Sequence, residues 1–301
     1  MRYIWLWILL IASPVLSQEC TAYMVVDAFD KVTHKGIDGL NAGDFEAKLG
    51  NASLQIVSST QSFNNRVLVL VQAAGSSEDP NILAVARRVA EMARQAPVDR
   101  LVAFGAFGDH TVFTKGFSSN LQERSAGIDQ VMSQLNSLGR YTAVFDALHD
   151  GIALFGQTQP GDTIVLVGSG HDVKSRRNER DLEKEFSQQH VRLLATVFIQ
   201  QVAAIHDTNL VEKMDRKLEE TFALHRLASS TGGAFSHGLA PGLIDFAFAG
   251  YLVGIHAPAG LDKPKSWKLQ LGGDAAKAHK GALIYQPFWL APCTSTAAAT
   301  R

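Results

Sequence analysis

Ser169, His171 and Asp172 stand within one short stretch, "IVLVGSGHD", where an apolar run opens into a glycine-rich turn. These residue types could make a serine hydrolase. A nucleophile elbow, however, needs Gly-x-Ser-x-Gly between strand and helix. The order here is Val167-Gly168-Ser169-Gly170-His171, so the first glycine is misplaced. His171 is also too near in sequence to be the base of a triad. The other histidines, including His149, His190, His225, His237, His256 and His279, are scattered and form no His-Glu-x-x-His zinc motif. "GSSED" and "GSG" lack the Gly-x-Gly-x-x-Gly spacing of a dinucleotide loop. A Ser, a His and an Asp on one rim are common without catalysis. The expectation is a protein that is not an enzyme and has no catalytic residues.

A second stretch carries a different chemistry. "RVLVLVQAAGSSEDP", Arg66 to Pro80, is an apolar strand running into a small polar loop. Such a loop often holds a ligand, yet the first side chain offered after the strand is Gln72 and not an acid. "VLVLVQ" is nearly continuous in apolar residues, as expected of a strand buried on both faces. "DRLVAFGAF", "DTIVLVGSG" and "VRLLATVFI" read the same way. Helical patterns lie between them. "NILAVARRVAEMARQA" puts Ile82, Val85, Ala86, Val89 and Met92 on one stripe, and Arg87, Arg88, Glu91 and Arg94 on the other side. "LQERSAGIDQVMSQL", "AVFDALHDGIALF" and "VEKMDRKLEETFALHRLASSTGG" are also helical, the last with a glycine stop. Buried strands separated by helices imply an α/β fold with a mainly parallel sheet.

The flanks differ in period. Residues 18–63 hold short strand-like pieces between turns, and 248–292 hold "SWKLQLG" and "ALIYQPFWL". "FAFAGYLVGIHAP" is strand-like too, although its first part has a helical start as an alternative. Each flank is too small to bury a core alone, so the two are expected to pack together as a small β-rich element. Residues 1–17 read as a secretory signal: Arg2, the apolar "YIWLWILLIA", and small residues before a cut after Ser17. An uncleaved amphipathic end and a lipid-modified Cys20 are the alternatives, although Glu19 sits where a lipidation signal wants a small residue. No later segment suits a membrane span, so the mature chain is expected to be exported to the periplasm, cell surface or medium. The tail 293–301 should fray. With 28 basic and 29 acidic residues, the formal charge is -1 and gives no electrostatic case for nucleic acid. The two cysteines, Cys20 and Cys293, lie near the mature ends; they either bridge or stay free.

On the strand order, on "LGRYTAVFDAL" and on "LASSTGGAFS", the middle section, 64–247, resembles a von Willebrand factor type A domain. The leader "VVDAFDKVTHKGIDGLNAGDFEAKLGNASLQIV" is similar to those of bacterial exported proteins with a related type A domain. The resemblance implies a doubly wound, Rossmann-like sheet. It also implies a place for Mg²⁺ at the carboxyl edge, the metal-ion-dependent adhesion site, built from Asp-x-Ser-x-Ser, a Thr and a later Asp. Those positions fall here on Gln72, Ala74 and Ser76, on Thr142, and on Ser169. Asp146 matches a structural acid of the following helix.

Mg²⁺ wants hard oxygens, usually including carboxylates, and neutral oxygens compete poorly with its own water. Both expected acids are neutral here, and Ala74 brings no oxygen. The resemblance therefore implies a degenerate site with no metal and no cofactor. Glu78, Asp79 and Asp172 lie nearby as acids that a loop could swing in. Ser76 and Thr142 are expected to cap helices and satisfy backbone groups. The rim still offers Tyr141, His171 and Asp172, with Phe107, Asp109 and His110 near them, to a protein partner. A binding or interaction module is the leading reading. A structural subunit of an envelope or secretion assembly is the alternative.

Overall fold

The structure is a computed structural model and describes residues 20–33, 35–61, 65–74, 81–198, 221–238, 243–258, 261 and 263–290. The leader 1–17, Ser76, Glu78, Asp79 and the tail with Cys293 lie outside the described residues. Four strands come first: β1 (Cys20–Phe29), β2 (Phe45–Leu49), β3 (Ala52–Leu54) and β4 (Ile56–Gln61). In β2, Phe45 and Ala47 are buried while Glu46 and Lys48 are exposed. That period of two is what one covered face requires.

The middle section then alternates. It runs β5 (Arg66–Gln72), α1 (Asn81–Arg94), β6 (Leu101–Phe107), β7 (Thr111–Phe113) and α2 (Leu121–Ser133). It continues with α3 (Val144–Leu154), β8 (Thr163–Gly168), α4 (Glu179–Gln189) and β9 (Arg192–Val197). Helical residues 221–230 (α5), β10 (Phe235–His237) and α6 (Leu243–Ala247) close it. The sheet order is β10-β9-β8-β5-β6-β7, parallel throughout except for the edge strand β7.

The apolar run of β5 is explained by its two faces. Val67, Val69 and Val71 pack with Ala86 and Val89 of α1, Ile128 and Val131 of α2, and Ile244 of α6. Leu68 and Leu70 pack with Leu148 and Ile152 of α3, Phe186 of α4, and Leu224 and Leu227 of α5. Helices therefore cover both faces, and the sheet is doubly wound.

The chain then returns through β11 (Tyr251–Ala257), β12 (Lys265–Ser266), β13 (Lys268–Leu271), α7 (Gly273–Ala278), β14 (Leu283–Tyr285) and β15 (Trp289–Leu290). β11 pairs antiparallel with β1, from Cys20↔Ala257 to Val26↔Tyr251, and with β4 on its other side. β14 pairs with β1, and β13 with β2. The two chain ends thus build one β-rich element around Val26, Phe45, Tyr251, Val253 and Trp267. The segment before β11 takes its helical alternative as α6. The helix α7, within "GGDAAKAHK", has no counterpart in the strand-only reading of this flank.

One ion pair clamps the element to the sheet. Arg192, at the start of β9, donates from Nη1 to both carboxylate oxygens of Asp27 on β1, at 2.9 and 2.8 Å. Its Nη2 donates to the Ala247 carbonyl at 2.9 Å and its Nε to Thr163 Oγ1 at 3.3 Å. Both partners are buried. Burial pushes the Asp27 carboxyl up to about 6, against the opposing pull of Arg192.

Candidate functional site

Parallel strands end on one edge, and the loops beyond β5 and β8 meet there. Gln72 is the last residue of β5 and is buried. Its amide oxygen accepts from the Ser169 backbone N–H at 2.7 Å and from the Ser169 hydroxyl at 2.9 Å. Its amide nitrogen donates to the Ala74 carbonyl at 3.1 Å. The amide therefore joins the ends of β5 and β8 directly. Gly168 makes room for it, since a Cβ there would lie 2.8 Å from Gln72 Oε1. The Ser169 hydroxyl also accepts the His171 backbone N–H at 3.3 Å. It donates to an amide oxygen, which is no base for nucleophilic chemistry.

The third loop precedes α3. The Thr142 hydroxyl donates to the His171 carbonyl at 2.6 Å, and the Thr142 carbonyl accepts from the Val173 and Lys174 backbone N–H groups at 2.8 and 3.0 Å. Thr142 therefore does not cap α3, but its hydroxyl does satisfy a backbone group, the His171 carbonyl, and so ties two loops together. The α3 N-terminus is served from the other loop. Asp172 Oδ1 accepts from the Val144 N–H at 2.6 Å, from Phe145 N–H at 3.4 Å and from the Ser175 hydroxyl at 2.6 Å. Asp172 is thus a committed acceptor and not an acid waiting to swing toward an ion. Asp146 has the structural role expected of it: its carboxylate accepts the Arg176 and Arg177 backbone N–H groups at 3.1–3.2 Å.

Tyr141 is 54% exposed and Val173 51% exposed. Lys174 Nζ lies 5.5 Å from the Tyr141 ring centre and 2.8 Å from Asp109 Oδ2. Asp109 Oδ1 accepts the Tyr141 N–H at 2.8 Å. The Lys174 hydrogen bond and then the Tyr141 amide hold the Asp109 carboxyl below the usual carboxylate range. Asp109 is legible near the rim from sequence, but Lys174 is not, because its partner is 65 residues away. His171 is half-buried. Ser76, Glu78 and Asp79 lie outside the described residues.

The donor set at the adhesion-site positions fits a divalent ion poorly. Ala74 offers no side-chain oxygen. The oxygens of Gln72, Ser169 and Thr142 are neutral and already engaged with one another or with backbone. A hydrated cation would have to break those bonds and would meet no compensating charge on these residues.

The doubly wound sheet with its loops at the carboxyl edge is the architecture that the resemblance to von Willebrand factor type A domains implies. No protein-family model matches the chain, and no curated protein matches it. Among solved structures it is similar to the conserved hypothetical protein BatB from Bacteroides thetaiotaomicron, with 10% identity, a TM-score of 0.42, and coverage of 61% of this chain and 96% of that one. It is also similar to a von Willebrand factor type A protein from Catenulispora acidiphila, with 12% identity, a TM-score of 0.43, and coverage of 76% and 48%. A third is proximal thread matrix protein 1 from the mussel byssus, with 16% identity, a TM-score of 0.47, and coverage of 66% and 50%; that protein is described with a zinc-occupied MIDAS motif. Likenesses of this depth carry no argument about ligand or partner.

Proposed function

We propose that the protein is an exported protein-binding module that recognises its partner at the carboxyl rim of its type A-like sheet, without a divalent metal and without catalysis. One observation carries this reading. The Gln72 amide bonds Ser169 and Ala74 at the place where the resemblance implies a metal, so the loops are joined by neutral hydrogen bonds. The surface around them is suited to a protein: exposed Tyr141 and Val173 alternate with charged groups, as in recognition patches. Export rests on the leader 1–17, and no helix among the described residues is long and apolar enough to cross a membrane. The test is affinity capture from native envelope extract with the mature protein as bait. The same partner should be retained in EDTA and in Mg²⁺ and lost with Tyr141→Ala. Retention only in Mg²⁺, or retention indifferent to Tyr141→Ala, would count against it.

The structural-subunit reading has its own support. Tyr285, Phe288 and Trp289, in and around β14 and β15, are 38%, 50% and 41% exposed. Cross-links from a captured partner to these residues, and none to the rim, would favour it.

A further inference from the structure

We infer that His149 is a pH-sensitive latch: unprotonated, it holds Arg177 and the end of the rim loop against α3 and α4, and protonated, it releases them. Its effect on recognition rests on the rim being the docking surface; the latch itself does not. The loop between β8 and α4, residues 169–178, carries His171, Asp172 and Lys174. Its first half is tied to the start of α3 through Thr142 and Asp172. Arg177, near its end, reaches back to His149 in the middle of α3, with Nη2 2.8 Å from His149 Nε2. On the other side of the ring, His149 Nδ1 lies 2.8 and 2.9 Å from the two carboxylate oxygens of Glu185 on α4. These partners fix the state of the ring. A guanidinium has only donors, so Nε2 must be an acceptor and carry no proton. An ionised carboxylate only accepts, so Nδ1 carries the proton and donates it. The bridge therefore needs a neutral imidazole in one tautomer.

Protonation at Nε2 removes the lone pair and sets the N–H of one cation against the N–H of another. The bond to Glu185 survives, since Nδ1–H is unchanged, and only the Arg177 side breaks. Imidazole is the side chain whose charge ordinarily changes between roughly pH 5 and 8. The ring is 30% exposed and Glu185 23% exposed, so solvent protons reach both. The other elements against α3 bring no competing partner. β6 and β8 carry no charged residue. On α4, Glu179 is paired with Arg226 and Asp181 with Asn178, and Arg180, Glu183 and Lys184 make no bond to His149 among the described residues. In the loop, Lys174 is paired with Asp109, and Arg176 meets α3 through its backbone N–H. On α3 itself, Asp150 is the next residue and Asp146 lies one turn before. Asp146 accepts the Arg176 and Arg177 N–H groups, so those amides report whether this end of the loop is held.

The test is NMR of the intact, isotope-labelled mature protein from about pH 8 to about pH 5, with no partner present. At the upper end, His149 should show a protonated Nδ1 and an unprotonated Nε2; the opposite tautomer overturns the latch. As the ring gains its second proton, protection of the Arg176 and Arg177 amides, corrected for the intrinsic pH dependence of exchange, should fall by about tenfold along the same curve. Protection that stays level through the titration of His149 overturns the proposal. His149→Gln supplies one donor and one acceptor that do not titrate, so its loop should stay protected throughout. An equal fall in that variant assigns the change to another group and also overturns it. Arg177→Met gives a check that does not depend on His149→Gln folding. Without the opposing cation, His149 should titrate at a higher pH than in the parent, and an unmoved midpoint counts against the latch. A confirmed latch on a protein whose partner ignores Tyr141→Ala would leave the device standing and remove the rim reading alone.

Discussion

Gln72 is the residue on which the metal-free reading turns. Its buried amide needs both an acceptor and a donor, since Oε1 takes two bonds from Ser169 and Nε2 gives one to Ala74. A carboxylate can do only the first. Gln72→Glu is therefore expected to destabilise the protein at neutral pH by about 1–3 kcal/mol, through a lost donor and a buried charge. The loss should shrink as pH falls, when the protonated acid regains an O–H donor. Urea unfolding at two pH values checks this; a variant as stable as the parent at neutral pH would contradict it. Comparison of positions singled out Gln72 and Ser169 from sequence, but their mutual bond was not legible, because it spans 97 residues and depends on how two strand ends meet. The capping of α3 by Asp172, from 28 residues further on, was hidden for the same reason.

Between elements, the Arg192–Asp27 pair joins β9 of the sheet to β1 of the β-rich element. Removing one partner leaves a buried, unmatched charge. Arg192→Met should cost about 3–5 kcal/mol, while Arg192→Met/Asp27→Leu should recover much of the loss. Chemical denaturation of the three forms decides it, and a double variant no better than Arg192→Met would contradict it. The pair also has a pH signature. Burial raises the Asp27 carboxyl from 3.8 to about 6 in the fold. The folded state then holds more protons than the unfolded chain between those values, so this group's contribution to stability falls as pH rises through that window. Melting between those pH values should show that negative slope, and the double variant should lose it. The alternation of buried strands and striped helices was legible because apolar periodicity reports burial directly. The clamp was not: Arg192 reads as an ordinary charged residue at a strand start, and only tertiary packing buries it.

At the scale of the whole molecule, the pairing of β1 with β11 and β14 brings both flanks into one element. This was foreseeable because neither flank could form a core alone. It also leads us to predict a bridge between Cys20 and Cys293. Cys20 opens β1 and carries no free thiol. Cys293 lies three positions past Leu290, which is in β15 and buried in the same core. Mass mapping of an unreduced digest should find the two cysteines in one linked pair; two labelled thiols in the unfolded, unreduced protein would exclude it. In the ideal loop-closure limit such a bridge adds about 5 kcal/mol. The most direct measurement concerns the rim itself. Titration of Mg²⁺ and Ca²⁺ into the metal-stripped mature protein, followed by calorimetry, is expected to give no binding heat at millimolar ion and no change in melting temperature. A micromolar dissociation constant that disappears in Ser76→Ala/Thr142→Ala would contradict it, showing a cation site where the Gln72 amide is held to join the loops.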